Sequence, residues 1–305
     1  MRPREVQRRV DRFRFYSTGH SFHRFMNPTN IDKLMELGWA CGLELRRDAP
    51  EVWRLANLNT GLFGETAVVR GATGRPKRVL DMGCGKGGLG FLLAENFLVD
   101  CLGVDLSDGE IRQARARKQD APQGEHLEFV LADGREYAKS LAVEGRKFDL
   151  AMCIGATFIF GALEDTITAL EPCLADGGVL AIGEATLNDL EGAEAFRREV
   201  SAEIALRTDY ELLQVIEQKG YDLTYIIESS LPDWDRYESL QWLALHRNLA
   251  DHPGDATARA FWERKHKDQA NFIQNERKFF GWKMFVLERL ADLELLRIAD
   301  AVSGR

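Results

Sequence analysis

From Arg78 onward the chain alternates short apolar runs with longer amphipathic ones. Arg78–Met82, Cys101–Val104, Leu127–Leu131, Phe148–Ile154 and Val179–Gly183 are apolar runs of strand length. They are short and nearly continuous in apolar residues, the pattern of strands buried on both faces. Leu89–Asn96, Asp108–Arg117 and Leu163–Leu174 lie between them and read as helices. Strands alternating with helices in this way predict βαβ units, a parallel sheet and helices on both of its faces. Tyr210–Gln218 reads as a further helix that Gly220 stops. Asp222–Glu228 reads as a sixth strand and Trp282–Leu287 as a seventh. About fifty residues separate these two, too many for a hairpin turn, so the pattern predicts an inserted cap. That insertion is rich in Trp, Tyr and His and contains a helical stretch, Ala256–Phe272.

The first quarter of the chain is less regular. Residues 30–45 carry helical spacing, with Ile31, Leu34, Met35 and Leu37 on or near one face and Asn30 as N-cap. Residues 46–77 contain Gly61, Gly64, Gly71, Gly74 and Pro76 and read as a partly helical connection ending in a turn. Residues 1–25 hold seven Arg against two acids. A solvated basic helix start explains that surplus, and so does a basic flap over an anionic ligand.

Composition narrows the class. The 305 residues are 45% apolar and 29% charged, a globular profile with enough chain for one elaborated domain or two small ones. The net charge of −8 argues against a general binder of nucleic acid. No run approaches the roughly 18 apolar residues that span a bilayer. The five cysteines form no CxxC pair, which argues against a disulfide framework or a structural zinc site and for reduced thiols in the cytoplasm. The N-terminus has no apolar core of a secretory signal, and Glu5 and Asp11 weaken a transit peptide.

The strongest chemical signal is Val79-Leu80-Asp81-Met82-Gly83-Cys84-Gly85-Lys86-Gly87-Gly88. A strand that runs through glycines into a helix brings backbone N–H groups beside a ligand. Dinucleotide-binding folds share this pattern, so by itself it does not name the ligand. Asp81 stands two residues before the first glycine, and Asp105 ends the second strand, where a carboxylate can accept two ribose hydroxyls. Asp133 ends the third strand and Ile154-Gly155 the fourth. All four landmarks fall at the carboxyl ends of strands, the ligand crevice of an open α/β sheet. Asp105 could instead be a helix cap, but Ser107 and Asp108 are placed to supply that cap.

In this order VLDMGCGKGG, GVDLS, LADGR, FDLAMCIGA and GGVLAIGE resemble the successive motifs of class I S-adenosylmethionine-dependent methyltransferases, over residues 78–187. The resemblance implies an α/β fold with a Rossmann-like, doubly wound, seven-stranded sheet, one of whose two late strands is antiparallel. It implies S-adenosylmethionine as cofactor and no metal. By the same resemblance Asp81, Gly83, Cys84, Gly85 and Gly87 hold the methionine end, Asp105 the ribose and Asp133 the adenine amino group. Gly155 lies along the cofactor, and Leu106, Gly134 and Ile154 complete the set. The stretches GHSFHRFMNPTN and DWDRYESLQW are similar to a small-molecule-type methyltransferase subgroup. The expected organisation is a helical flap and linker over 1–75, then a methyltransferase domain over 76–305 with a cap at 231–280. A nicotinamide-dependent oxidoreductase would explain the glycines and Asp105 but not Asp81 or Asp133. A catalytically inactive cofactor-binding partner subunit is the other alternative.

Two segments carry candidate acceptor chemistry. Tyr16–Phe25 packs two histidines, a tyrosine and an arginine into ten residues. His20, His23 and Tyr16 are candidate proton acceptors and Arg24 a candidate binding residue, with Gly19 allowing a tight turn that aims His20 inward. A helix that buries Phe22 and Phe25, with its histidines capping or facing water, fits the same residues. A metal site at His20-x-x-His23 lacks further clustered ligands. In the second segment Trp234, Tyr237 and Trp242 could wall an apolar pocket to which Asp235 or Glu238 adds polarity. The plain alternative packs these aromatics on the core. Glu184, ending the fifth strand, is a further catalytic candidate, Cys84 reads as a small buried filler, and Trp262, Phe279, Phe280 and Trp282 read as core. The acceptor is expected to be a small molecule, with no membrane or nucleic-acid partner. The methylated atom and the oligomeric state stay open.

Overall fold

The computed structural model describes residues 13–46, 74–200 and 205–290. The basic residues 1–12 and most of the connection read over 46–77 lie outside the described residues.

Strands β1 (Lys77–Met82), β2 (Val99–Asp105), β3 (Leu127–Leu131), β4 (Phe148–Ile154), β5 (Leu174–Leu187), β6 (Tyr221–Glu228) and β7 (Phe280–Arg289) form one sheet. Its order is β3-β2-β1-β4-β5-β7-β6. The pairs β1–β2, β1–β4, β2–β3 and β4–β5 are parallel, and β6 and β7 pair antiparallel. The chain winds outward from β1 to β3, then crosses to β4 on the other side of β1. That reversal opens a crevice at the carboxyl ends of β1 and β4.

Helices α2 (Ile31–Ala40), α3 (Gly88–Asn96), α4 (Asp108–Asp120), α5 (Gly134–Val143), α6 (Leu163–Leu170) and α8 (Asp209–Gln218) accompany the sheet. Side chains of a strand alternate between faces, which splits the packing in two. Leu80, Met82, Leu102 and Val104 bury against Ala138 and Leu141 of α5, Ile167 and Leu170 of α6, and Leu212 and Ile216 of α8. The intervening Cys101 faces α3, whose Gly90 lies close to the Cys101 thiol.

Three features differ from the sequence reading. The helix expected over Leu163–Leu174 ends at Leu170, because Pro172 lies in a 3-10 turn (Glu171–Cys173) and Leu174 already begins β5. Helix α5 was not singled out by the pattern; only Gly134, Ala138 and Leu141 of it are buried, so its apolar stripe is thin. Helix α7 (Ala193–Val200) was missed for the same reason, burying only Ala193 and Phe196.

The chain divides into two compact units. One contains most of the sheet and comprises, among the described residues, 31–46, 74–184, 209–228 and 283–290. The other gathers, among the described residues, 13–30, 185–200, 205–208 and 229–282. Its first segment ends at Asn30, and it includes the connection that follows Glu184.

The second unit has its own construction. Helix α9 (Leu231–Asp251) starts in a capping box: Ser230 and Asp233 satisfy each other's backbone N–H, with Pro232 in the first turn. Asn30 Nδ2 donates to Asp233 Oδ1 at 2.8 Å, fixing the end of the N-terminal segment to that cap. Helix α10 (Ala256–Asn271) is capped by Asp255 and runs into a π-helical turn, Phe272–Glu276. Helix α1 (described over 13–19) sets Phe15 edge-on to Phe261 of α10 at 5.4 Å. Leu187, Ala193, Phe196, Leu206 and Phe279 form a small core, in which Phe196 stacks on Phe279 at 4.9 Å.

Gly38 of α2 tests the packing of the first unit. A Cβ there would lie 2.6 Å from the Phe97 ring and 3.2 Å from Leu93. Phe97 is 1% exposed and cannot retreat. Alanine is favoured over glycine in a helix by about 1 kcal/mol. Overpacking of about 1–3 kcal/mol outweighs that gain. Gly38→Ala is therefore expected to lower the denaturation midpoint with an unchanged m value; a raised midpoint would show that the α2–α3 contact yields.

Candidate active site

The glycine loop is held to the end of β2. Val104 O accepts the N–H groups of Gly83 at 2.8 Å and Cys84 at 3.1 Å. At Gly83, with φ of +78°, a Cβ would sit 2.4 Å from the Ala156 Cβ; at Gly87, with φ of +75°, one would meet the Phe129 ring at 2.5 Å. Only glycine gives both the turn and the approach. Helix α3 starts behind Gly87 with no side-chain cap, so its first N–H groups remain for a ligand.

Asp105 spans this loop. Its Oδ2 accepts the Gly85 N–H and its Oδ1 the Ser107 N–H, each at 2.8 Å. Ser107 holds the N-cap position of α4 but its side chain makes no cap bond, so the cap expected from Ser107 does not form and Asp105 binds that backbone instead. Each carboxylate oxygen keeps a second lone pair for a ligand hydroxyl. Burial pushes the Asp105 carboxyl above its ordinary range, partly opposed by the N–H groups of Ser107, Gly85 and Leu106. Asp81 is 3% exposed. Burial and then the charge of Asp105 push its carboxyl from 3.8 up to about 7. The Cys84 thiol is raised well above its ordinary value by burial and both aspartates, which keeps it protonated. The Cys84 side chain packs close to Gly103, leaving its backbone in the loop.

Asp133 caps α5: its Oδ1 accepts the N–H of Arg135 at 3.0 Å and of Glu136 at 3.3 Å, leaving Oδ2 outward. Leu106 and Leu131 stay 40% and 42% exposed at their strand ends, apolar surface suited to a base. Ile154 is buried, and the Gly155 N–H donates to Gly183 O at 2.9 Å. Gly134 is buried beside Ile159. Thr157 Oγ1 donates to Glu184 Oε1 at 3.1 Å; Glu184 does not end the fifth strand as expected, because β5 continues to Leu187. The crevice thus offers carboxylates for a diol and a cation, a free helix N-terminus for a carboxylate and a glycine cradle. That donor and acceptor set fits S-adenosylmethionine.

The candidates of the second unit also come together. His20 and His23 are 3% and 5% exposed. His20 Nδ1 lies 2.9 Å from Tyr16 O and must carry the proton, because a carbonyl only accepts. His20 Nε2 then accepts from Tyr237 Oη at 3.0 Å. His23 Nε2 donates to Tyr237 O at 3.0 Å. Gly19 is helical and lacks a positive φ, so the helix itself, not a tight turn, directs His20. The Tyr16 ring packs 4.1 Å from His20. Arg24 lies over Phe25 at 5.3 Å.

Trp234 stacks on Phe280 at 6.0 Å and Trp242 meets Phe272 edge-on at 5.7 Å. Both indole Nε1 groups are buried and find no hydrogen-bond partner among the described residues. Asp235 is held by Arg277 through two bonds of 2.8 and 2.9 Å, which lowers its carboxyl; this ion pair is its observed contact. Glu238 is buried, paired with Lys265 at 2.7 Å and bonded to Gln241. Sequence reasoning did not reach Lys265, which lies on α10, because nothing local pairs it with Glu238. Phe279 and Trp282 are buried as expected, while Trp262 is half-buried and stacks on His266. Among the described residues no cluster could hold a metal ion.

A family model described as a methyltransferase domain matches residues 75–229, half of the chain. The chain belongs to that family, and with its fold it is a class I S-adenosylmethionine-dependent methyltransferase. Solved structures of S-adenosylmethionine-dependent methyltransferases from Geobacter sulfurreducens and Thiobacillus denitrificans, each in complex with S-adenosylhomocysteine, are both similar to it. Each is 26% identical with a TM-score of 0.73, over 90% of this chain and 98% of the other. The Escherichia coli K12 protein YjhP is 26% identical over 90% of this chain and 97% of its own length. The nicotinamide alternative is set aside by the family match.

Asp81 generates a test that needs no ligand. Its carboxyl is raised on folding, so the folded state holds its proton more tightly than the unfolded chain. That contribution is full below the unfolded value of 3.8 and lost as pH rises to about 7. Asp81→Asn is expected to remove this loss, so the variant gains thermal stability relative to wild type between pH 5 and pH 8. Parallel pH profiles of Tm would show that ionising Asp81 costs the fold nothing.

Proposed function

We propose that this chain methylates a small-molecule acceptor in the cytoplasm. In this reading Asp81, Gly83, Cys84, Gly85, Gly87, Asp105, Leu106, Asp133, Gly134, Ile154 and Gly155 bind the cofactor, and the unit carrying α1 and α9 recognises the acceptor. The observation that carries the reading is Asp105, which bridges the Gly85 and Ser107 N–H groups and so fixes a strand-end carboxylate against the glycine loop. When bound, S-adenosylmethionine supplies an electrophilic methyl group for in-line displacement.

The residues divide the remaining work. Asp105 accepts the ribose hydroxyls, Asp133 Oδ2 the adenine amino group, and ionised Asp81 the ammonium end. Alignment of acceptor and methyl contributes roughly 7–11 kcal/mol in well-oriented reactions. Small-molecule recognition is supported by the buried aromatic and polar chemistry of the second unit. The indole N–H groups of Trp234 and Trp242 are donors suited to an acceptor oxygen. His20 takes a proton at Nε2, relayed through the Tyr237 hydroxyl that it already accepts from. Tyr16 fixes the tautomer through its carbonyl, and His23 fixes the Tyr237 backbone. Glu184, held by Thr157, is a further candidate proton acceptor. Five buried free thiols support a reducing compartment. Among the described residues no helix is long and apolar enough to cross a membrane.

Calorimetry with S-adenosylhomocysteine tests the cofactor assignment. Asp105→Ala is expected to cost about 1.5–3 kcal/mol, a roughly 10- to 150-fold weaker Kd, in a folded protein. Unchanged affinity would reduce Asp105 to a turn residue. For an acceptor that loses a proton, His20→Ala is expected to lower kcat by roughly 10²–10⁴-fold with cofactor affinity intact. Near-normal kcat would leave His20 as the anchor of Tyr237 alone.

A further inference from the structure

We propose that Arg135 is a positioning residue for the cofactor, a clamp that locks the loops following β1, β3 and β4 into one arrangement. The proposal rests on the reading of the strand-end carboxylates as the cofactor site. Arg135 is exposed, yet its Nε and Nη2 both donate to backbone carbonyls. Nη2 donates to Phe160 O at 2.7 Å and to Ile159 O at 3.1 Å, and Nε to Ile159 O at 3.4 Å. Its backbone N–H donates to Asp133 Oδ1 at 3.0 Å. One residue therefore joins the Asp133 cap to the turn that follows Gly155.

Ile159 shows what the clamp holds in place. A Cβ on Gly134 would lie 3.1 Å from Ile159 Cγ2, and one on Gly83 would lie 3.1 Å from Ile159 Cδ1. The Ile159 side chain thus rests against both the glycine loop and the start of α5. The neighbouring Ala156 closes on Gly83 from the same turn. Backbone bonds hold the first residues of each loop to a neighbouring strand, as Gly83 to Val104, Ala132 to Asp105 and Gly155 to Gly183, but sheet pairing does not fix the spacing between the Asp133 cap and the Ile159 turn. The guanidinium does, because its rigid fork presents several donors at once, and its charge strengthens each bond. A lysine ammonium is a single point charge that cannot reproduce the fork.

The test is Arg135→Lys, measured by calorimetry with S-adenosylhomocysteine and with 5′-methylthioadenosine, which keeps the adenosine half and lacks the amino acid. Both ligands are expected to bind roughly tenfold more weakly, the loss of about one charge-assisted bond, because the clamp sets the Asp133 turn at the adenine end. Measured far below Tm, a merely destabilised but folded protein keeps its intrinsic Kd, so a structural role alone would lower Tm and leave both affinities unchanged. Unchanged affinity for both ligands, or a loss confined to S-adenosylhomocysteine, overturns the clamp. Should Arg135→Lys fail to fold, Arg135→Gln carries the same measurement. A wild-type protein that binds neither ligand overturns the cofactor-site reading itself, whereas normal wild-type binding with an unaffected variant overturns the clamp alone.

Discussion

The carboxylate of Asp105 is the interaction on which the binding edge depends. It is buried, which disfavours its charge, and it offsets part of that cost with the N–H groups of Gly85 and Ser107. Those two bonds fold the glycine loop toward the end of β2 and start α4 without a side-chain cap. Burial, and after it this same charge, raises the neighbouring Asp81. A pair of closely set carboxylates is unfavourable in the empty protein and becomes favourable when a ligand brings hydroxyls and positive charge. In the proposed cofactor reading, the edge is organised for binding at some expense of stability, as strained and desolvated functional sites generally are.

Burial of polar groups also organises the second unit, by a different route. Its segments come from three separated parts of the chain, held in part by aromatic contacts and a small apolar cluster of Leu187, Ala193, Phe196, Leu206 and Phe279. Specific hydrogen bonds complete the assembly. Asn30 meets the cap at Asp233, His20 and His23 meet Tyr237, and Glu238 meets Lys265. Buried polar networks of this kind hold one arrangement and disfavour alternatives, because a misplaced partner leaves a desolvated group unpaired. The buried polar contacts of this unit are therefore part of what defines its structure.

Much of the sheet and of its binding edge was legible in the sequence. Strands β3 and β4 begin and end where the apolar runs do, because a strand buried on both faces cannot hide polar residues in its middle. The glycines and the strand-end aspartates were legible because their roles are local: a turn needs glycine, and a strand end faces the crevice. Asp133 shows the limit. The same carboxylate is a cap and a candidate ligand group, so the helix that it starts went unread while its place at the edge did not.

Sequence alone determined the strand set, the order of the binding motifs and hence the class of chemistry, since each of these is written within a few consecutive residues. Tertiary structure alone decided which distant groups meet. His20 finds the Tyr237 hydroxyl 217 residues away, and Asn30 finds Asp233 203 residues away. It also decided that 185–208 joins the N-terminal segment, that Asp235 is held by Arg277, and that Arg135 ties two loops together. The physical reason is that periodicity and turn chemistry report a residue's own backbone and burial. Hydrogen-bond partners across the fold depend on how loops and helices are packed, and no local pattern encodes that.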